Sequence, residues 1–97
     1  MKRIKIKFEY KCFPVWIYGE DNRLIDNDLP ETLIGDEVDE LFSNLQNRHN
    51  SLYLDNGTEF KFKGFISEDE KKTFENDVKK ATDLLKSRIN TEYIIEE

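Results

Sequence analysis

The sequence predicts an α+β fold, with a mainly antiparallel sheet of about five strands and two helices packed on one of its faces. Three observations carry that prediction. Residues 2–10 alternate, with Ile4, Ile6, Phe8 and Tyr10 on one side and Arg3, Lys5, Lys7 and Glu9 on the other; a period of two marks a half-buried strand. Asn56-Gly57 stands between two strand-like runs within residues 52–62, and this dipeptide is a strong hairpin signal. Ser67-Glu68-Asp69-Glu70 reads as a capping box, with Phe74, Val78, Ala81, Leu85 and Ile89 following at helical spacing.

The other elements fall between these anchors. Phe13-Pro14-Val15-Trp16-Ile17-Tyr18 is apolar on both faces and gives a second strand, closed by turn chemistry at Gly19-Glu20-Asp21-Asn22. Arg23–Asp26 suits a short third strand. Asp28-Leu29-Pro30-Glu31 looks like the start of a helix, Gly35 interrupts it, and Asp36 can cap a fresh start. Val38, Leu41, Phe42 and Leu45 then recur at helical spacing, and the helix is expected to end near Arg48 to Asn50.

The hairpin is expected to turn through a type I′ pair at Asn56-Gly57, with Gly64-Phe65-Ile66 finishing its second strand. The second helix should run from about Glu68 to Ile89. Tyr93-Ile94-Ile95 then makes a last short strand, a candidate neighbour for Ile4–Tyr10. The predicted order is β-β-(β)-α-β-β-α-β. With no repeat or linker-like tract, residues 1–97 are expected to form one domain.

Hydrophobic and charged residues each make up 37% of the 97, which puts a charge-rich surface around an aromatic core. Cys12 is the single cysteine, so no internal disulfide is expected and a reducing compartment fits. No apolar segment follows the basic start, and no run approaches the ~20 residues needed to cross a bilayer. The expectation is a cytoplasmic protein without a membrane partner.

The usual chemistries lack their residues. His49 and Cys12 are the only histidine and cysteine, too few for a structural zinc site. A nucleophilic pair would need both to meet; the plainer readings are a small apolar filler for Cys12 and a C-terminal capping cation for His49. Asp26-Asn27-Asp28 with Glu31 has carboxylates near calcium spacing but lacks the glycine and distal glutamate of an EF-hand. No phosphate-binding glycine motif occurs. A non-enzymatic protein without cofactor or metal is expected.

Charge is distributed unevenly. The net charge is −6, yet residues 1–19 carry five basic side chains and one acidic, whereas residues 20–40 carry nine acidic and only Arg23. The cationic start suggests a sheet face bearing Arg3, Lys5 and Lys7, with Lys61 and Lys63 as candidate additions. Against nucleic acid, the alternation sets Phe8, Tyr10, Phe60 and Phe62 opposite those lysines, and an acidic chain repels phosphate.

The acidic segment is the candidate partner surface: Glu20, Asp21, Asp26, Asp28, Glu31, Asp36, Glu37, Asp39 and Glu40. Such a patch would steer a basic protein; the competing reading is a solvated helix face with dipole compensation. Trp16 and Tyr18 point away from Val15 and Ile17, either as core under the chain's own loops or as anchors of an interface. Self-association stays open.

The run Phe13–Tyr18, the stretch Asp26–Glu31, the Asn56-Gly57 hairpin and the capped helix together resemble small acidic immunity proteins of Gram-positive bacteria, encoded beside secreted or contact-dependent polymorphic toxins. The resemblance covers most of the chain and assigns no individual residue. It implies a tight protein partner, a basic toxin domain such as a nuclease, whose active site is occluded. The alternative from another class is a regulatory or structural interaction module, such as a phage- or plasmid-borne adaptor.

Overall fold

The elements follow in chain order as β1 (Lys2–Ile6), β2 (Val15–Tyr18), β3 (Leu24–Asp26), a 3-10 turn (Glu31–Leu33), α1 (Glu37–Asn50), β4 (Tyr53–Asp55), β5 (Phe60–Phe62), α2 (Glu68–Arg88) and β6 (Tyr93–Glu96). The structure is a computed structural model and describes residues 1–96. Four strands form the main sheet in the order β3-β2-β1-β6. β1 pairs antiparallel with β2 and parallel with β6, with Ile4 opposite Ile17 on one side and Ile95 on the other.

This α+β architecture matches the expected class, with one difference in the sheet. The hairpin β4-β5 does not join the main sheet and stands as a two-stranded sheet of its own. The sheet therefore divides into four strands and two, where the sequence suggested about five together.

One side of the main sheet is covered. Ile4, Val15 and Ile17 from the strands meet Val38, Phe42 and Leu45 from α1 and Phe74, Ala81 and Leu85 from α2, with Leu29 and Leu33 buried in the same cluster. Each large side chain fully buried here contributes roughly 1.5–3 kcal/mol.

The helix starts follow the sequence signals. Asp36 accepts a hydrogen bond from the Val38 N–H at 3.2 Å and caps α1, while Gly35, at φ 85°, separates it from the preceding 3-10 turn. Ser67 Oγ accepts from the Glu70 N–H at 3.1 Å and caps α2.

Three local expectations are corrected. β1 stops at Ile6 rather than Tyr10, because the chain leaves the sheet: Phe8 packs on Phe74 and His49, and Tyr10 on Tyr53 and Phe60. Their alternation records burial against a helix and a hairpin, not strand pairing. The hairpin turn is not type I′, since Gly57 takes a positive φ of 86° and Asn56 does not. Asn56 Oδ1 instead accepts from the Thr58 and Glu59 N–H groups at 3.1 and 2.8 Å, organising the turn through its side chain. Gly64–Ile66 is not strand either: both Lys63 and Gly64 N–H groups converge on the Leu52 carbonyl, and Gly64 turns the chain away at φ 79°.

Candidate functional site

The acidic residues follow the chain from the β2–β3 turn through β3 to the start of α1. Glu20 and Asp21 lie in the β2–β3 turn, on a recess of roughly 630 Å³ shared with Lys2, Ile25 and Glu92. Asp26 and Asp28 flank Asn27, whose side-chain amide donates to the Phe13 and Val15 carbonyls at 2.6 and 2.9 Å. That contact ties the chain after β3 to the start of β2, while Asp26 itself pairs opposite Ile17. Glu31, Asp36, Glu37, Asp39 and Glu40 lie on the 3-10 turn, the N-cap and the first turn of α1.

Several of these charges are met by the chain's own groups. Glu20 pairs with the N-terminal ammonium, which holds its carboxyl below the usual range through a hydrogen bond and direct charge attraction. Arg23 Nε lies 3.5 Å from Asp21. Arg88 reaches Asp36 at 2.7 Å and Glu37 at 3.6 Å. Asp26 and Asp28 each accept from the following N–H at 2.8 Å, and Asp39 accepts from the Gly35 N–H at 2.8 Å. Those bonds fold the local backbone but leave the negative charge in place. Glu31 and Glu40 are exposed and form no ion pair among the described residues.

Trp16 and Tyr18 belong to a different surface. The register of β1 and β2 sets Trp16 opposite Lys5 and Tyr18 opposite Arg3, on the sheet face that no helix covers. Lys7 Nζ lies 5.3 Å from the indole centroid and Lys5 Nζ 5.0 Å from the phenol ring centroid, distances at which the ring quadrupole attracts the cation. On β6, Glu96 lies 3.0 Å from Arg3 and 3.5 Å from Lys5. Both rings are half-buried. The structure thus places the aromatic candidates with the cations of β1.

This changes one argument made from the sequence. Phe8, Tyr10, Phe60 and Phe62 do lie away from the β1 cations, but Trp16 and Tyr18 share their face. The signal was present: Trp16 and Tyr18 have the parity opposite to Val15 and Ile17, as Arg3 and Lys5 have to Ile4. An antiparallel pairing of the two runs puts them together. Lys61 and Lys63 are elsewhere, on the separate hairpin.

His49 is not the capping cation expected. Its ring packs against Phe8 at 5.3 Å and Tyr53 at 5.4 Å, and its Nδ1 is buried without a hydrogen-bond partner among the described residues. Burial pushes its pKa down, favouring the neutral form. Ser51 caps α1 instead, with its N–H donating to the Asn47 carbonyl and its hydroxyl to the Arg48 carbonyl at 2.6 Å. Cys12, half-buried, closes a turn through its N–H to the Glu9 carbonyl. Among the described residues, no group of three or more His, Cys, Asp or Glu side chains is arranged to hold a metal ion, and no helix is long and apolar enough to cross a membrane.

The structure therefore carries an acidic arc over residues 20–40, an aromatic face lined with cations, and a hairpin that forms a sheet of its own. A search of curated proteins finds no match for the chain. A family model described as Serratia CdiI immunity protein-like matches residues 2–96. That span takes in the main sheet, both helices and the hairpin, and the chain belongs to this immunity-protein family.

Proposed function

We propose that the chain is a non-enzymatic cytoplasmic immunity protein that neutralises a cognate toxin by binding over the toxin's active site. The family match across residues 2–96 is the observation that carries this reading. The acidic arc supports a basic toxin surface, as on a nuclease domain: Glu31 and Glu40 are exposed and form no ion pair among the described residues, and Asp39 is met by the Gly35 N–H and the Ser43 hydroxyl. Asp36 and Glu37 contribute less, because Arg88 already answers them. Asp26 and Asp28 extend the negative field, while Glu20 and Asp21 add less because the N-terminal ammonium and Arg23 answer them.

The test uses the catalytically inactivated toxin domain encoded beside this chain. Stopped-flow association should slow steeply as salt rises, because opposite fields speed encounter chiefly at low ionic strength. The Glu31→Lys/Glu40→Lys variant removes no internal bond and should lower the association rate by about tenfold at low salt. An unchanged rate would show that the acidic arc is not the contact.

A further inference from the structure

The uncovered face of the main sheet has the make-up of a binding surface and a sign of charge opposite to the chain as a whole. Trp, Tyr and Arg are the side chains on which interface energy concentrates, and here Trp16, Tyr18 and Arg3 sit on two adjacent inner strands. Trp16 is also held in place. The Trp16 indole N–H donates to the Lys7 carbonyl at 2.9 Å, so little side-chain freedom remains to be lost on binding. Leu24 lies opposite Tyr18 on β3 and Ile94 opposite Arg3 on β6, and they are 51% and 49% exposed.

Arg3, Lys5 and Lys7 make this face cationic in a chain of net charge −6. Glu96 offsets part of the charge through Arg3 and Lys5, and Lys7 lies 3.7 Å from Glu9. A positive surplus remains over the rings. A basic partner surface would be repelled here, whereas carboxylates would be drawn in.

Resting on the immunity reading above, we propose that this face is a second contact for the same toxin. It meets an apolar patch that carries carboxylates. The toxin then presents basic groups to the acidic arc and acidic groups to the sheet, so a mismatched toxin is rejected by charge at two places. Single-stranded nucleic acid also favours rings set among cations. Its bases, however, stack on open ring faces, and ammonium groups lie over both of these.

The experiment titrates the full chain with the inactivated toxin domain while following backbone amide NMR shifts and affinity. The expected result is shift changes at Trp16, Tyr18, Leu24 and Ile94, with Kd raised about tenfold by Lys5→Glu/Lys7→Glu and in the same direction by Leu24→Asp. The amide spectrum of each free variant checks that it still folds. Unchanged or tighter binding after charge reversal would overturn the proposal. Shift changes confined to residues 31–40 would remove this contact while leaving toxin neutralisation standing. Binding of a poly-uridine oligonucleotide, abolished by the same reversal, would assign the face to nucleic acid and overturn the toxin contact. If the native chain fails to bind the toxin domain at all, the immunity function falls and this contact with it.

Discussion

Arg88 Nη1 lies 2.7 Å from Asp36 Oδ1, joining the last turn of α2 to the N-cap of α1. The pair places a cation at one helix C-terminus and an anion at another's N-terminus, and both placements suit the helix dipoles. Asp36→Ala removes cap and ion pair together and should cost about 1–2 kcal/mol in urea unfolding. Asp36→Asn keeps the capping oxygen and should cost at most about 1 kcal/mol. A double-mutant cycle with Arg88→Ala should give a coupling below about 1 kcal/mol, since both side chains reach solvent. A coupling of several kcal/mol would show that the pair does far more than a solvent-screened bridge can.

The core should respond on a larger scale. Phe42 is fully buried and lies edge-on to Phe13 at 6.4 Å. Phe42→Ala is expected to cost about 3–5 kcal/mol, from lost burial plus the cavity left behind. Phe62→Ala removes a ring that is 57% exposed and should cost less than about 1.5 kcal/mol. Urea midpoints of the two variants measure the contrast.

The His49 ring makes stability depend on pH in a defined direction. Its folded-state pKa is pushed down by burial, so the unfolded chain takes up the proton first. Its contribution is complete above about pH 6.5, declines as pH falls below that, and levels off once pH passes the folded-state value. The charged groups near it include Arg48 on its own helix, whose guanidinium lies 5.3 Å from the Phe74 ring. Urea midpoints should fall between pH 7.5 and pH 5.5, and His49→Phe should remove the histidine-linked part of that slope.

The hairpin turn depends on two adjacent residues for different reasons. Asn56→Ala deletes the acceptor used by the Thr58 and Glu59 N–H groups. Gly57→Ala forces a side chain onto a backbone at φ 86°, at a cost of about 1–2 kcal/mol. In either variant the Phe60–Phe62 amides should exchange faster with solvent, while the amides of β1 and β2 keep their native rates.

Much of the fold was legible because local chemistry and tertiary burial agreed. Asp36, Gly35 and Ser67 each marked a helix boundary that the structure keeps, since caps depend on nearby atoms. Phe8 and Tyr10 misled because a period of two records which side is buried, not what buries it. Their partners come from α1, α2 and the hairpin. His49 misled for a related reason: its place in the last helical turn suggested a cap, but Phe8 and Phe74, two of the rings packed on it, are distant in sequence. The parity of Trp16 and Tyr18 was readable; their meeting with Arg3 and Lys5 needed the pairing of β1 with β2. The acidic residues were visible as a run, while the ion pairs that answer Glu20, Asp36 and Glu37 depend on groups distant in sequence.

The parallel pairing of Lys2 with Tyr93 has a consequence for timing. During translation, β1 emerges first but gains its β6 neighbour only after about ninety more residues are made, on the order of 5–18 s at about 5–20 residues per second. Until then one side of an inner strand has open backbone groups, and the cationic face lacks Glu96. A nascent chain can form the β1–β2 pair early, yet the four-stranded sheet closes only when synthesis has passed the last strand.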